Sequence, residues 1–534
     1  MLKTAATTVR VRDDGSKHGG LRLVILLMAA LAVGSVGLSD PARGDRLEHS
    51  MGTSSARNFD AKLTSSDAEA GDQLGWVAMA ESSALIGAPG DDAGAGAAYF
   101  FLREDDGWRE AGKLVSDHRI SGAEFGWTTA ISNETAVISA LRERGTGAAY
   151  IFRRAGDRWS QEAELVAADG RDGDGFGWKV AISEETVVIG APFADDSRGA
   201  AYVFRRRGGE WRQEAKLADD SAESLGFSVA ISGDTIFVGA PFADDEAGAG
   251  LTYVRNGVTW SFESRLSPDL EPEGDKLFGN GAAMSGNTLV VGADEEETSA
   301  HDAGAAYVFV RVDGSWQRQA KLIASNPSDE GHFGLYLATS GDAIVVGAAG
   351  GHAPDSDLDT GSAYLFVRSG TTWSQRALLF ASDSGEQDNF GLAAMAGTTV
   401  IVAAPWHDGL GEDAGAAYVY ELAALLGEHE SGVQVTPDGR RVLISKDVDG
   451  PAGTERWSIT RNLDDDSITG NVFPSGGGAP SFVFCSVTAA DPAEVTLECS
   501  GANACLQSPC LASAWTPLGT VRVPASFFEP PAAT

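Results

Sequence analysis

The chain has 534 residues, 43% of them hydrophobic, enough to build more than one packed core. Its formal net charge of −36 repels nucleic acid and anionic lipid, so neither is an expected partner. That balance suits a soluble extracellular protein; a salty habitat or divalent-cation binding are the other readings it leaves open.

Residues 1–22 carry Lys3, Arg10, Arg12, Lys17 and Arg22, and Leu23 to Leu38 then runs without a charge. A basic segment followed by an apolar one reads as an export signal over 1–38. The apolar run is shorter than the about 20 residues of a membrane span, so no transmembrane span is expected in the mature chain, an uncleaved anchor being the alternative. Residues 39–58 read as a disordered leader. Arg43-Gly44-Asp45 falls there and is taken as a chance match to an integrin-recognition tripeptide.

From residue 74 to 420 one pattern occurs seven times: a Phe-Gly-type strand, a Gly-Ala-Pro-type strand, a Gly-Ala-Ala-Tyr strand, then Trp and Lys-Leu. The first glycine falls at Gly75, Gly126, Gly177, Gly226, Gly279, Gly334 and Gly391. In the third copy Phe176, Trp178, Val180 and Ile182 alternate with smaller or polar residues, the period of a strand. Thr186 to Ala191 is continuously apolar or small, which predicts burial on both faces, and Pro192 then stops the pairing. Tyr202 and Phe204 share a face of the third strand. In the fourth, Trp211, Gln213, Ala215 and Leu217 alternate with Arg212, Glu214 and Lys216, as at a charge-protected outer edge. Repeated four-stranded units without helices predict an all-β, seven-bladed β-propeller over 59–426. Ala61-Lys62-Leu63 precedes the first unit without strands of its own, and the seventh ends at Tyr418-Val419-Tyr420 without a Lys-Leu strand. The N-terminal segment 59–66 is therefore expected to complete blade seven and lock the ring.

These motifs resemble the FG-GAP repeat, known from the propeller heads of integrin α subunits and from many secreted bacterial proteins. Leu74 and Leu225 replace Phe, Ser139-Ala140-Leu141 replaces Gly-Ala-Pro, and Gly292-Ala293-Asp294 and Gly347-Ala348-Ala349 lack the proline. The resemblance implies an adhesion-type module. It also implies calcium in a DxDxDG-like loop between the two named strands. Here that connection is only Ser183-Glu184-Glu185-Thr186 or Ser232-Gly233-Asp234-Thr235, too short for calcium's six to eight oxygens. Plain hairpin turns are expected there, and the family's calcium role does not carry over.

Elsewhere, Asp355, Asp357 and Asp359 alternate ahead of Gly361, like the first half of a calcium loop, but no bidentate Glu follows. Asp169, Asp172 and Asp174 form a poorer cluster. Acidic pairs recur at Asp91-Asp92, Asp195-Asp196 and Asp244-Asp245, which favours Asp side chains bonding turn N–H groups, with calcium at 355–359 the competing reading. His118, His332 and His407 fall in loops, where solvated side chains are expected. No nucleophile elbow, phosphate-binding loop or zinc-protease motif occurs. No other cofactor is expected.

Past Leu426 the period stops. Alternating runs at 441–444, 472–473 and 481–484 predict a small all-β domain over 431–528. Cys485, Cys499, Cys505 and Cys510 all lie in it; in an exported chain they predict one or two disulfides of open connectivity, with zinc the weaker alternative.

The function expected is that of a secreted or surface-displayed, non-enzymatic binding or adhesion protein. The long loops 294–304, 350–361 and 406–415 follow the same strand in blades five to seven, so they should emerge together. They carry Asp294, Glu295, Glu296, His301, Trp406 and His407 besides the aspartates above, which suits a protein or glycan ligand. A secreted propeller hydrolase or lyase acting on polysaccharide is the alternative, because catalytic groups drawn from separate blades leave no local motif.

Overall fold

The computed structural model describes residues 59–105, 107–156, 158–268, 276–353 and 358–422, together with the backbone of strands at 55–57 and between 432 and 524. Residues 61–421 form seven antiparallel four-stranded sheets. Blade three is typical: Val180–Ser183, Thr186–Ala191, Ala200–Arg207 and Glu210–Leu217, each paired with the next. Every residue of its second strand is buried, as the unbroken apolar run demands. The fourth strand is exposed at its start and buried at Leu217. The innermost strand of each blade touches that of the next, and blade seven's touches blade one's, so the ring is closed.

Closure uses the N-terminal segment as expected. Ala61, Lys62 and Leu63 pair with Val419, Tyr418 and Ala417 as the outer strand of blade seven. A parallel bridge from Leu74 to Gly415 adds a second link across the joint. Within the segment read as a leader, Ser55–Arg57 forms a short strand that pairs in parallel with Ala377–Leu379, a fifth strand on blade six.

The repeated residues hold neighbouring blades together. A Cβ on Gly190 would sit 1.9 Å from the carbonyl oxygen of Gly226, so the Gly-Ala-Pro glycine of blade three lets the Phe-Gly backbone of blade four lie directly on it. The outer-strand tryptophans reach back one blade: Trp211 and Trp316 Nε1 donate to Glu162 and Glu263 at 3.0 Å, and Trp373 to Gln319 at 2.8 Å. At the opposite end of the ring the short connections are two-residue hairpins, as expected. Their tips are strung together by serines: the Ser183, Ser232 and Ser285 hydroxyls accept from the N–H groups of Gly233, Gly286 and Gly341.

The acidic pairs sit in turns, but Asp91, Asp92, Asp195 and Asp244 bond lysine, arginine or tyrosine side chains rather than the turn N–H groups expected. Asp92, Asp195, Asp196, Asp244 and Asp245 all have φ between 52° and 61°, the left-handed region that aspartate tolerates best after glycine and asparagine. Asp174, of the poorer cluster, does bond a turn N–H, accepting from Arg171 at 2.8 Å.

The C-terminal region holds a seven-stranded antiparallel meander from Gly432–Val435 to Thr516–Pro524. Its backbone register sets Cys485 opposite Cys499. Cys505 and Cys510 lie outside the described residues.

Candidate functional site

One end of the ring carries a charged network that explains two of the repeat's fixed letters. The tyrosine of the third strand lies opposite the lysine of Lys-Leu in blades one, three, five and seven. In blade one Lys113 Nζ bridges Asp67 at 2.8 Å and Asp91 at 2.6 Å, and the Tyr99 hydroxyl lies 2.7 Å from both carboxylates. Blade three repeats this with Lys216 on Asp169 and Asp195 and Tyr202 on Asp169. In blade five Glu296 is fully buried and takes Lys321 and Tyr307. The network fastens the loops of this end to the blades.

The long loops take part in this fastening. Asp294 is buried and accepts from Asn280 Nδ2 at 2.8 Å; burial pushes its carboxyl up to about 7. Glu295 is half-buried. His407, expected to be solvated, is buried instead, with Nδ1 2.7 Å from Asp388 and Nε2 2.7 Å from Lys62 of the closing strand. Trp406 is half-buried, and its Nε1 has no hydrogen-bond partner among the described residues. His301 is open to solvent beside Asp302, and Asp359 is exposed and bonded to His352 at 2.8 Å. Asp355 and Asp357 lie outside the described residues. The loops do emerge at one end, and each bonds the segment leading into the following blade: Glu330 N–H to His301, Gln387 N–H to Asp359, Gly71 N–H to Glu412.

A different set of residues converges on the ring axis. A cavity of about 170 Å³ is lined by the innermost strands of all seven blades. The residue directly after each Phe-Gly glycine is Trp76, Trp127, Trp178, Phe227, Asn280, Leu335 or Leu392. The first four form a continuous aromatic arc, with centroid separations of 5.6, 5.9 and 5.0 Å from one ring to the next. Phe193 stands edge-on to Trp178 and extends the arc outward. On the other side Asn280 joins Asp294, with its Oδ1 buried and unpartnered among the described residues. His332 stands 3.8 Å from Asp294.

The next position along the chain in each blade reads Val77, Thr128, Lys179, Ser228, Gly281, Tyr336 and Ala393, and each lines the cavity. Lys179 has no carboxylate in salt-bridge reach among the described residues, and burial lowers its ammonium to about 8. Tyr336, half-buried, has its hydroxyl pushed well upward by desolvation and then by the Asp294 charge. Of the residues after the glycines, Trp76, Asn280, Leu335 and Leu392 line the cavity, while Phe227 is buried against Phe242 and Leu277; the cavity's lysine, Lys179, stands on blade three directly after Trp178.

A family model described as FG-GAP repeat matches residues 58–101, 108–152, 159–204, 211–254, 260–309, 316–366 and 373–420. The chain belongs to the FG-GAP repeat family. The seven matched segments of this FG-GAP propeller correspond to the seven blades, and repeats of this kind are typical of extracellular proteins. No curated protein matches the sequence. Among solved structures the chain is similar to Sqt1 of Chaetomium thermophilum, at 14% identity, with 76% of this chain and 96% of that one covered and a TM-score of 0.40. No helix among the described residues is long and apolar enough to cross a membrane.

The sequence reading singled out the longest loops and not the residues lining the axial cavity. The signal was available: aligning the copies on the Phe-Gly glycine stacks Trp76, Trp127, Trp178 and Phe227 in one column. Lys179 stands alone in the next.

Proposed function

We propose that this FG-GAP propeller is a secreted binding protein that performs no chemistry, and that it recognises a glycan at the axial end of the ring that bears the aromatic arc. The observation that carries this reading is the ring-to-ring run of Trp76, Trp127, Trp178 and Phe227 on blades one to four, whose first member lines the axial cavity together with Asn280 of blade five. Sugar rings present an apolar face and a rim of hydroxyls. Aromatic faces complement the first, and an amide and a carboxylate complement the second. The propeller fold is equally consistent with a protein ligand, whose aromatic or basic side chains would use the same groups.

A printed glycan array probed with the full chain, followed by calorimetry on the best binder, tests the proposal. Saturable binding that weakens on Asn280→Ala supports it; an array without binders, beside saturable capture of a purified peptide library member, replaces the glycan with a protein ligand. The hydrolase or lyase reading has one feature in its favour, the buried Asp294 carboxyl near 7, the range of a general acid, bonded to the cavity-lining Asn280. Turnover of a polysaccharide that is abolished by Asp294→Asn would establish that reading in place of binding alone.

A further inference from the structure

Blade two departs from the network that its neighbours share. In blade one the set is Asp67, Asp91 and Lys113, and in blade three it is Asp169, Asp195 and Lys216. The corresponding positions of blade two are His118, Glu143 and Glu164. His118 follows Leu114 by four residues, as Asp67 follows Leu63 and Asp169 follows Leu165. Glu164 lies opposite Tyr150 in the strand register where Lys113 and Lys216 lie opposite Tyr99 and Tyr202. Thus an aspartate has become an imidazole, and the bridging ammonium has become a second carboxylate.

The geometry fits a single ion. One ligand atom from each of His118, Glu143 and Glu164 falls within 4.8 Å of the others. His118 Nδ1 is 3.5 Å from Glu143 Oε1 and 3.9 Å from Glu164 Oε2. Ligands held about 2.0–2.2 Å from a tetrahedral ion lie roughly 3.3 Å apart, so small rotations suffice to close the set.

A second observation points the same way. The Glu143 side chain is 0% exposed, yet neither oxygen makes a hydrogen bond of normal geometry among the described residues. The Tyr150 hydroxyl approaches Glu143, which after burial pushes it upward through a hydrogen-bonding contact short of good geometry, and lies 3.1 Å from His118 Nδ1. Arg144 is the one cation at hand among the described residues. It pairs with Glu164 at 2.6 Å and stands 3.5 Å from Glu143. Its Nη2 also lies 3.4 Å from His118 Nδ1, so a metal ion would have to displace this half-exposed guanidinium, whose outer side faces solvent. A buried carboxylate without hydrogen bonds is costly unless a cation reaches it. His118, 42% exposed, leaves the cluster open to solvent on one side.

We propose that His118, Glu143 and Glu164 form a binding site for a divalent transition metal ion, which takes the place that the lysine ammonium holds in blades one and three. One imidazole and two carboxylates suit zinc or cobalt better than calcium, which takes oxygen ligands only. The ion would fasten the blade-two loop as lysine fastens its neighbours. This site is separate from the axial channel and does not depend on the function proposed there.

The test is titration of the chelator-treated full chain with zinc chloride by calorimetry, with cobalt chloride as an optical probe, alongside melting curves. Wild type should bind one zinc ion with a dissociation constant of about 10 μM or tighter and melt at a higher temperature with zinc present. Glu164→Lys restores the residue of the neighbouring blades. It should fold, melt at or above metal-free wild type and lose the zinc-induced shift. His118→Ala should weaken binding by at least roughly tenfold, the loss that even supporting residues cause at metal sites. The proposal is overturned if wild type shows no saturable zinc binding, or if Glu164→Lys and His118→Ala both bind zinc as wild type does.

Discussion

Replacing Lys179 by methionine should make the protein more stable at neutral pH, although it removes the one charge on the inner ring. The lysine lines the axial cavity with no carboxylate in reach among the described residues, and burial moves its ammonium from the ordinary 10.5 to about 8. That displacement corresponds to about 3 kcal/mol favouring the neutral form. Part of the side chain stays open to the channel, so about 3 kcal/mol is a ceiling. The sign follows from proton counts. Below pH 8 both folded and unfolded chains are protonated, and the folded state carries the whole penalty. Between pH 8 and 10.5 the unfolded chain holds a proton that the folded one has released, so stability contributed by this residue rises with pH. Above 10.5 both forms are neutral and the penalty is gone. Lys179→Met should therefore raise the unfolding midpoint most below pH 8, and the advantage should fade by about pH 10.5. Thermal unfolding of both proteins at pH 7 and pH 10 measures this. An equal gain at both pH values, or a loss at pH 7, would refute the reasoning.

Other consequences can be checked in the same way. Asp294→Asn should stabilise the protein at pH 8 and do little at pH 4: the folded carboxyl titrates near 7 against an ordinary 3.8, so the folded state holds the extra proton between those values and loses stability as pH rises through them. Paired unfolding curves at the two pH values decide it. Gly190→Ala should destabilise the ring by about 3 kcal/mol, at the upper end of overpacking penalties, because its Cβ would meet the Gly226 carbonyl oxygen. Ser139→Gly, at the equivalent position of blade two, should cost far less, since that joint already accommodates a side chain and loses chiefly the Ser139 to Thr128 hydrogen bond; equal losses from the two would count against backbone-to-backbone contact. Exported protein unfolded without reductant should show two or fewer free thiols, as the cross-strand placement of Cys485 and Cys499 favours; four would exclude a disulfide.

The architecture was legible because each blade must satisfy the same packing. Glycine where two backbones touch, an unbroken apolar run where a strand is covered on both faces and a Trp that reaches the previous blade are local requirements, and they recur in register. The closing strand was legible for a related reason: Lys62 and Leu63 spell the ending that blade seven lacks. The site was harder to read. Loop length suggested that 294–304 and 406–415 were free for binding, but Glu296 and His407 are committed to ion pairs and hydrogen bonds that fix the loops in place. A channel lining is assembled one residue per blade, from positions about 50 residues apart, so no local window displays it. His118 illustrates the same limit. Beside Asp117 in the sequence it reads as a solvated loop residue, and only the ring brings it to Glu143 and Glu164.

The central claim is that the axial arc, rather than the long loops, is the binding surface. Calorimetric titration of the best glycan from the array into wild type, Trp127→Leu and Trp178→Leu tests it most directly. Leucine already occupies that ring position in blades six and seven, at Leu335 and Leu392, so the fold accommodates it. A parallel variant carries the short 192–198 loop in place of 406–415. The account predicts that each tryptophan substitution weakens binding by roughly tenfold or more, in the range of an aromatic hot spot, while the loop exchange leaves affinity nearly unchanged. Wild-type affinity in both tryptophan variants, with binding lost on the loop exchange, would contradict it.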